Sequence, residues 1–128
     1  MNEVVIKPSL REQFLQGWAQ CRVIFFSAPC GFGKSTAATA LLSNYKTCVF
    51  SAEDPEFLHE PVPKDVDAIV IDSLPALKDP EDRQTLCAWI RENPELHFVI
   101  LSRGVLPGWL MPFRFTGLLQ LIEAGDLL

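Results

Sequence analysis

Two patterns meet in the stretch Arg22-Val23-Ile24-Phe25-Phe26-Ser27-Ala28-Pro29-Cys30-Gly31-Phe32-Gly33-Lys34-Ser35. Its first six residues form a compact apolar run, which predicts a strand buried on both faces. The remainder has the spacing Ala-x-x-x-x-Gly-Lys-Ser of a phosphate-binding loop, with Ala28 where the first glycine is usual. Residues Lys34 to Asn44 are rich in Ala, Thr and Leu and predict a helix. A strand, a glycine-rich turn and a helix in this order are the context that such a loop requires.

The chemistry of the loop points to a bound nucleoside triphosphate, ATP or GTP. Gly31 and Gly33 permit the backbone N–H groups to curl around a phosphate at the positive end of the helix. Lys34 is predicted to neutralise the β- and γ-phosphates, Ser35 to bind Mg²⁺ and Thr36 to approach the α-phosphate. The predicted nucleotide ligands are Ala28, Pro29, Cys30, Gly31, Phe32, Gly33, Lys34, Ser35 and Thr36. The alternatives are a chance glycine-rich turn and, for Cys30, a redox role in place of a small loop residue.

The rest of the chain alternates between predicted helices and strands. Helices are predicted for Pro8 to Gln20 and from Asp79 or Pro80 to about Asn93, and a loop for Glu53 to Lys64. Strands are predicted at Thr47 to Phe50, Ala68 to Ile71, His97 to Leu101 and Leu118 to Ile122. Because these strands read as continuous apolar runs, the pattern favours a three-layer α/β fold around a parallel sheet.

A second motif is Ile69-Val70-Ile71-Asp72, an apolar strand that ends in an acid and resembles a Walker B motif. Carboxyl ends of parallel strands are where ligands of open α/β sheets gather. Asp72 is therefore predicted to bind Mg²⁺ through water, together with Ser35. The alternative interpretation is an ordinary acidic residue at the end of a strand.

Hydrolysis needs a further group that polarises water, and the residue after Asp72 is Ser73 where many ATPases have a second acid. Glu53 and Asp54 follow the second strand and are candidate substitutes, against the simpler interpretation of solvated loop acids. Arg103 follows the fourth strand and is predicted to sense the γ-phosphate or stabilise charge that develops on it. The alternatives for Arg103 are a salt bridge or a solvated side chain. The predicted catalytic residues are Lys34, Asp72, Arg103 and Glu53.

Composition limits the class of protein. The 128 residues suit one domain, residues 1–128, built around one core. A formal net charge of −5 argues against direct nucleic-acid binding, which draws on clustered Lys and Arg. No apolar run approaches the roughly 18 to 20 residues that cross a bilayer, and the start of the chain lacks a secretion signal. The four cysteines are widely spaced and are interpreted as reduced thiols without a zinc cluster. A cytoplasmic protein is therefore predicted.

The motifs together resemble a known family. Ser27-Ala28-Pro29-Cys30-Gly31-Phe32-Gly33-Lys34-Ser35-Thr36, Val70-Ile71-Asp72-Ser73 and Phe98-Val99-Ile100-Leu101-Ser102-Arg103 resemble the ATPase module of MalT-like LuxR-family transcriptional regulators. These regulators are STAND-class P-loop NTPases. The resemblance implies five parallel strands in the order 5-1-4-3-2, ATP or ADP with Mg²⁺ as ligand, and a nucleotide switch that governs self-association. It also implies that the chain is an N-terminal part of a longer regulator whose other domains are its partners.

Three functions remain open at this point. The first is a slow signalling ATPase, and the second is a nucleotide-dependent interaction module that does not hydrolyse its ligand. Ser73 separates these two, because it stands where the family often has a second acid. The third is a small phosphotransferase, which is disfavoured because such kinases have an Arg-rich lid and only Arg114 accompanies Arg103 late in the chain.

Overall fold

A computed structural model describes residues 8–27 and 40–123, with the backbone alone for residues 8–10. Within these ranges the helices are α1 (Pro8–Gln20), α2 (Pro80–Glu92) and α3 (Met111–Phe115). The strands are β1 (Val23–Ser27), β2 (Thr47–Ser51), β3 (Ala68–Asp72), β4 (His97–Ser102) and β5 (Leu119–Glu123). Short 3₁₀ turns lie at Pro55–His59, Leu74–Ala76 and Gly108–Leu110. No helix in the described ranges has the length and apolar character needed to cross a bilayer.

The five strands form one sheet in the order β2-β3-β4-β1-β5. Every pair of neighbours is parallel, and β1 pairs with β4 on one side and β5 on the other. This arrangement confirms the predicted α/β fold and, counted from the other edge, the order 5-1-4-3-2. Because a parallel connection has to cross over the sheet, the chain between strands covers its two faces.

Each face of the sheet carries its own apolar core. On one face, here called the α2 face, Leu86 and Ile90 of α2 pack with alternate strand residues such as Phe25 and Ile100. On the other, the α1 face, Phe14 of α1 packs with the intervening strand residues. The α1-face cluster comprises Phe14, Ile24, Phe26, Leu41, Leu42, Val70, Val99, Leu101 and Ile122. Side chains alternate between the two faces along each strand, and both faces are buried. The strands therefore have to be apolar throughout, as the sequence indicated.

Most predicted elements are present with ends shifted by at most one residue, and the structure differs from the sequence analysis in three details. The helix predicted to reach Asn44 is helical at residues 40–41 and is followed by a turn, while residues 34–39 lie outside the described ranges. The predicted loop from Glu53 to Lys64 contains a 3₁₀ turn whose Phe57 and Leu58 are buried in the α2-face core. The segment before Pro112 leads into α3, which was not predicted.

The ends of α2 are closed by defined contacts. The Asp79 side chain accepts a hydrogen bond from the Glu81 N–H at 2.9 Å, as an N-cap residue does. At the other end, Arg22 Nη1 donates to the carbonyl oxygens of Ile90 at 2.8 Å and Asn93 at 3.1 Å. A cation at this position satisfies free carbonyls and complements the negative end of the helix. Arg22 lies directly before β1, so these two hydrogen bonds join the C-terminal end of α2 to the start of β1.

We predict that Arg22→Met lowers the free energy of unfolding by about 1–2 kcal/mol, because it removes two charge-assisted hydrogen bonds at a helix C-terminus. Urea unfolding followed by circular dichroism measures the change. Arg11→Met is the matched control, since it removes the same charge from an exposed position on α1 and is expected to change stability little. Equal destabilisation by both variants would contradict the capping role.

Candidate functional site

The carboxyl ends of the five strands meet at one edge of the sheet. Along this edge Glu53 follows β2, Asp72 ends β3, Arg103 follows β4, and the phosphate-loop sequence from Ala28 follows β1. Glu53, Asp72 and Arg103 therefore lie at the same edge, and the phosphate-loop sequence begins directly after Ser27, where β1 ends at this edge. The crevice outside this edge is where open α/β sheets bind ligands.

The predicted phosphate loop, Ala28 to Thr36, lies outside the described residues, and with it Lys34 and Ser35. What the structure does describe is the chain on both sides of the loop. β1 is an interior strand of the sheet, since it is paired on both edges, and the loop sequence begins where this strand ends. After the loop, Leu41 and Leu42 are buried in the α1-face core beside Phe26 and Val70. The segment that follows the loop thus returns to the α1 face.

Asp72 is half-buried at the end of β3 and is held by neighbouring backbone groups. Its Oδ1 accepts a hydrogen bond from the Ser73 N–H at 2.8 Å. Its carbonyl oxygen accepts one from the Ala52 N–H at 2.8 Å, which continues the pairing of Ser51 with Asp72. By alternation along β3, Asp72 shares the α1 face with Val70, the face to which residues 41–42 return.

Ser73 adopts a left-handed backbone conformation, with φ 60° and ψ 41°. Of the non-glycine residues in the described ranges, it alone has a positive φ. This conformation costs an ordinary L-residue about 1 kcal/mol. It turns the chain sharply from β3 into the 3₁₀ turn at Leu74–Ala76 and directs the Ser73 amide toward the Asp72 carboxylate. No signal in the sequence pointed to this geometry, because serine is not a residue that favours it.

The two acids proposed as substitutes for a catalytic base lie in a tight turn after β2. The Glu53 N–H donates to Ser51 Oγ at 3.1 Å, and the Asp54 N–H donates to the Ser51 carbonyl oxygen at 3.1 Å. Both side chains are exposed. Glu53 therefore lies just after β2, the strand next to that of Asp72, and its role as a base stays a prediction.

Arg103 is exposed, and the residues on either side of it, Ser102 and Gly104, form hydrogen bonds. Ser102, which precedes it, is 2% exposed, and Ser102 Oγ accepts a hydrogen bond from the Gly104 N–H at 3.0 Å. Ser27 Oγ at the end of β1 donates to the Gly104 carbonyl oxygen at 2.8 Å. The importance of Ser27 and Gly104 was missed from the sequence. The available signal was that β1 and β4, which pair in register, both end in serine.

A shallow cavity of about 200 Å³ lies on the α2 face, next to the turn that carries Arg103. It is lined on one side by residues that follow β3, including Leu74 and Leu77, and on the other by Ser102 and Val105. Arg83 forms part of its wall, with Nε donating to the Leu77 carbonyl oxygen at 2.8 Å. The cavity separates the turns after β3 and β4, and its walls are mostly apolar apart from Arg83 and Ser102.

The cysteines of the described ranges are free thiols. Burial raises the pKa of the Cys87 thiol, an effect that nearby Arg91 opposes, and burial also raises the pKa of Cys21. A raised pKa leaves little thiolate at neutral pH, so these two side chains are poor nucleophiles. Cys30, the thiol for which a redox role was left open, lies outside the described residues.

No protein-family model matches the sequence, and no curated protein matches it. Among solved structures 78 chains match. One of them is a structure of C. elegans PCH-2, with a TM-score of 0.50 and 11% sequence identity. The match covers 92% of this chain and 41% of the PCH-2 chain, so the chain spans about two fifths of the length of that protein. At this identity the likeness shows the fold alone, a parallel α/β sheet covered by helices.

We predict that Ser73→Gly raises the free energy of unfolding by about 0.5–1 kcal/mol, because glycine adopts a positive φ without steric cost. Ser73→Val should lower it by about 1 kcal/mol or more, since a β-branched residue is strained there. Chemical unfolding measures both changes.

Ser43→Gly is the matched control for the glycine variant. Ser43 is exposed in a turn without a positive φ, so glycine there gains only freedom in the unfolded chain and should not stabilise. If both glycine variants shift stability in the same direction, Ser73 is not strained in the native state.

Proposed function

We propose that this chain is the ATP-binding module of a STAND-type signalling or transcriptional regulator, in which ATP or ADP with Mg²⁺ sets the state of a switch. One observation carries the proposal. A phosphate-loop sequence directly follows β1, a strand paired on both sides in a parallel sheet, and Asp72 ends β3 at the same edge. A P-loop NTPase needs both features at this edge, one for the phosphates and one for the metal ion.

The packing of the α1 face supports convergence of the two motifs. The segment after the loop has Leu41 and Leu42 in one cluster with Val70 and Leu101, and Asp72 projects from the same face as Val70. The sequence predicts a helix from Lys34, which would be about 12 Å long on reaching residue 41. With residue 41 packed on the α1 face, the predicted first turn would lie toward the carboxyl edge. In that arrangement Ser35 and Asp72 share one Mg²⁺, with Asp72 acting through water.

The chemical roles follow from the side-chain types. Lys34 neutralises the β- and γ-phosphates, and the amides from Ala28 to Thr36 enclose them. Arg103 contacts the γ-phosphate and so distinguishes ATP from ADP. Glu53 is the candidate base for the attacking water, although its exposure supports slow rather than efficient hydrolysis. The proposed switch acts in the cytoplasm through self-association or other domains of a longer regulator, without direct nucleic-acid contact by this chain.

A second function is favoured by the backbone at Ser73. This position, where many ATPases carry a second acid, has a left-handed conformation and a serine side chain. A chain without that acid is suited to hold nucleotide without turning it over. We therefore also consider a non-hydrolysing module in which bound nucleotide exposes a partner surface.

The binding proposal predicts that ATP with Mg²⁺ binds the chain, and that Lys34→Ala weakens binding at least about tenfold by removing a charge-assisted contact to phosphate. Isothermal titration calorimetry with ATP, ADP and GTP measures the affinities and shows whether adenine or guanine nucleotides bind more tightly. Lys64→Ala, at an exposed loop position, is the control for loss of one positive charge. Equal effects of the two lysine variants would contradict a specific phosphate site.

The metal site is tested in the same titration. Asp72→Asn keeps an oxygen that accepts from the Ser73 N–H and so preserves the turn, while it removes the charge that attracts Mg²⁺. The variant should lose most of the gain in ATP affinity that Mg²⁺ provides. Asp65→Asn, on an exposed acid, should retain that gain.

Turnover separates the two functions. A slow ATPase should release phosphate steadily, with the rate abolished in Lys34→Ala, reduced in Glu53→Gln and spared in Ser73→Ala. A coupled phosphate assay under saturating ATP measures these rates. Tight binding without release above background supports the interaction module instead. Unchanged release in Glu53→Gln would exclude Glu53 as the base.

A further inference from the structure

Two serines link the strand that leads into the phosphate loop to the turn that carries Arg103. Ser27 and Ser102 are register partners at the ends of β1 and β4. Ser27 Oγ donates to the Gly104 carbonyl oxygen at 2.8 Å, and Ser102 Oγ accepts from the Gly104 N–H at 3.0 Å. We call Ser27, Ser102 and Gly104 the serine clasp.

The clasp forms hydrogen bonds with both main-chain polar groups of Gly104, its N–H and its carbonyl oxygen. The bond from Ser102 is local and closes the turn, while the bond from Ser27 spans 77 residues of sequence and joins the turn to β1. Arg103 lies between Ser102 and Gly104, so its Cα cannot move away from the edge of the sheet without breaking a bond of the clasp. The orientation of the peptide groups around Arg103 is therefore tied to the end of β1.

Packing of the turn itself does not provide this restraint. Arg103 is exposed and Val105 is 85% exposed, and the next buried side chain is Leu106. Between Ser102 and Leu106 the described hydrogen bond that fastens the turn to another strand is the one from Ser27 Oγ to the Gly104 carbonyl oxygen. A long arginine on an otherwise exposed turn loses conformational freedom when its backbone is fixed, which lowers the cost of forming a defined contact.

We propose that Ser27 and Ser102 are positioning residues that hold Arg103 toward the terminal phosphate of a nucleoside triphosphate. This inference rests on the proposed function, because it needs a nucleotide in the loop that begins at Ala28. Ser27 immediately precedes that loop, so its hydroxyl connects the phosphate-binding segment to the γ-phosphate contact. The clasp consequently favours the triphosphate over the diphosphate, and it does so through Arg103.

The ratio of ATP to ADP affinity is the quantity that tests the proposal, because a general loosening of the loop weakens both nucleotides alike. Calorimetric titration of the whole chain with each nucleotide gives the ratio. Arg103→Ala should lower it about tenfold, the usual effect of removing a charge-assisted hydrogen bond. Ser27→Ala should lower it about fivefold, while Ser27→Thr, which keeps the hydroxyl, should retain most of it.

A double variant shows whether Ser27 acts through Arg103. With Arg103→Ala already present, Ser27→Ala should change the ratio no further, since nothing remains to be positioned. Gly104→Ala is the matched control within the turn. It keeps both main-chain groups, and its Cβ would lie 3.7 Å from Ser102 Oγ, an ordinary contact. Thr85→Ala, which removes a hydroxyl bond to the Glu81 carbonyl oxygen on α2, is the control outside the site.

The failure modes are distinct. If Ser27→Ala weakens ATP and ADP equally, or if its effect multiplies with that of Arg103→Ala, the serines are structural and the positioning role is wrong. If the unchanged chain binds neither nucleotide, or Lys34→Ala has no effect, the proposed function itself fails and the positioning role fails with it. Should Ser102→Ala not fold, Ser27→Ala and Ser27→Thr still decide the outcome, because Ser27 is only half-buried.

Discussion

The structure depends on the pairing of β1 with β4 and β5. A strand that is hydrogen-bonded along both edges has a fixed register relative to each of its two neighbours. The position where it ends is therefore determined by the sheet as a whole. β1 ends at Ser27, and the glycine-rich segment begins at the next residue. The proposed recognition of phosphate by backbone amides requires a strand end that is fixed in this way, because a loop that moved relative to its helix would lose the alignment of its N–H groups.

The same constraint organises the rest of the edge. β4 pairs with β1 so that Ser27 and Ser102 become partners, which puts Gly104 within reach of both hydroxyls. β3 pairs with β4, so Asp72 ends one strand further along the edge. Main-chain pairing thereby brings together residues that are far apart in the chain, such as the register partners Ser27 and Ser102. Side chains then add hydrogen bonds, some local, such as the one between Asp72 and the Ser73 amide, and one that spans 77 residues, from Ser27 Oγ to the Gly104 carbonyl oxygen.

Ser73 shows how backbone geometry limits chemistry. A residue with φ 60° directs its side chain differently from one in a strand, and most L-residues are strained there. The departure from the acid found at this position in many ATPases is thus accompanied by a turn that ties up one oxygen of Asp72. Both features are grounds for proposing a nucleotide-dependent switch rather than a fast hydrolase, since rapid turnover needs a base held beside the attacking water.

The sequence predicted the class of fold well because parallel strands covered on both faces have to be apolar throughout. The runs at Phe25, Ile71 and Ile100 satisfy this requirement and were placed within one residue. The 3₁₀ turn at Pro55–His59 was missed, because its prolines and acids have the composition of a loop. Phe57 is buried there because it packs against Phe50 and Trp89, with ring centroids 4.5 Å and 5.8 Å away, and both partners lie on other elements.

By itself the sequence determined the alternation of elements, the phosphate-loop motif after the first strand and the acid at the end of the third. These are local patterns of apolarity, glycine and charge, which adjacent residues specify. Only the tertiary structure decided which strands are neighbours, that Ser27 and Ser102 meet at Gly104, and that Ser73 is left-handed. Such features arise from pairing and packing between distant segments, and the free energy that selects them is not contained in any single stretch of the chain.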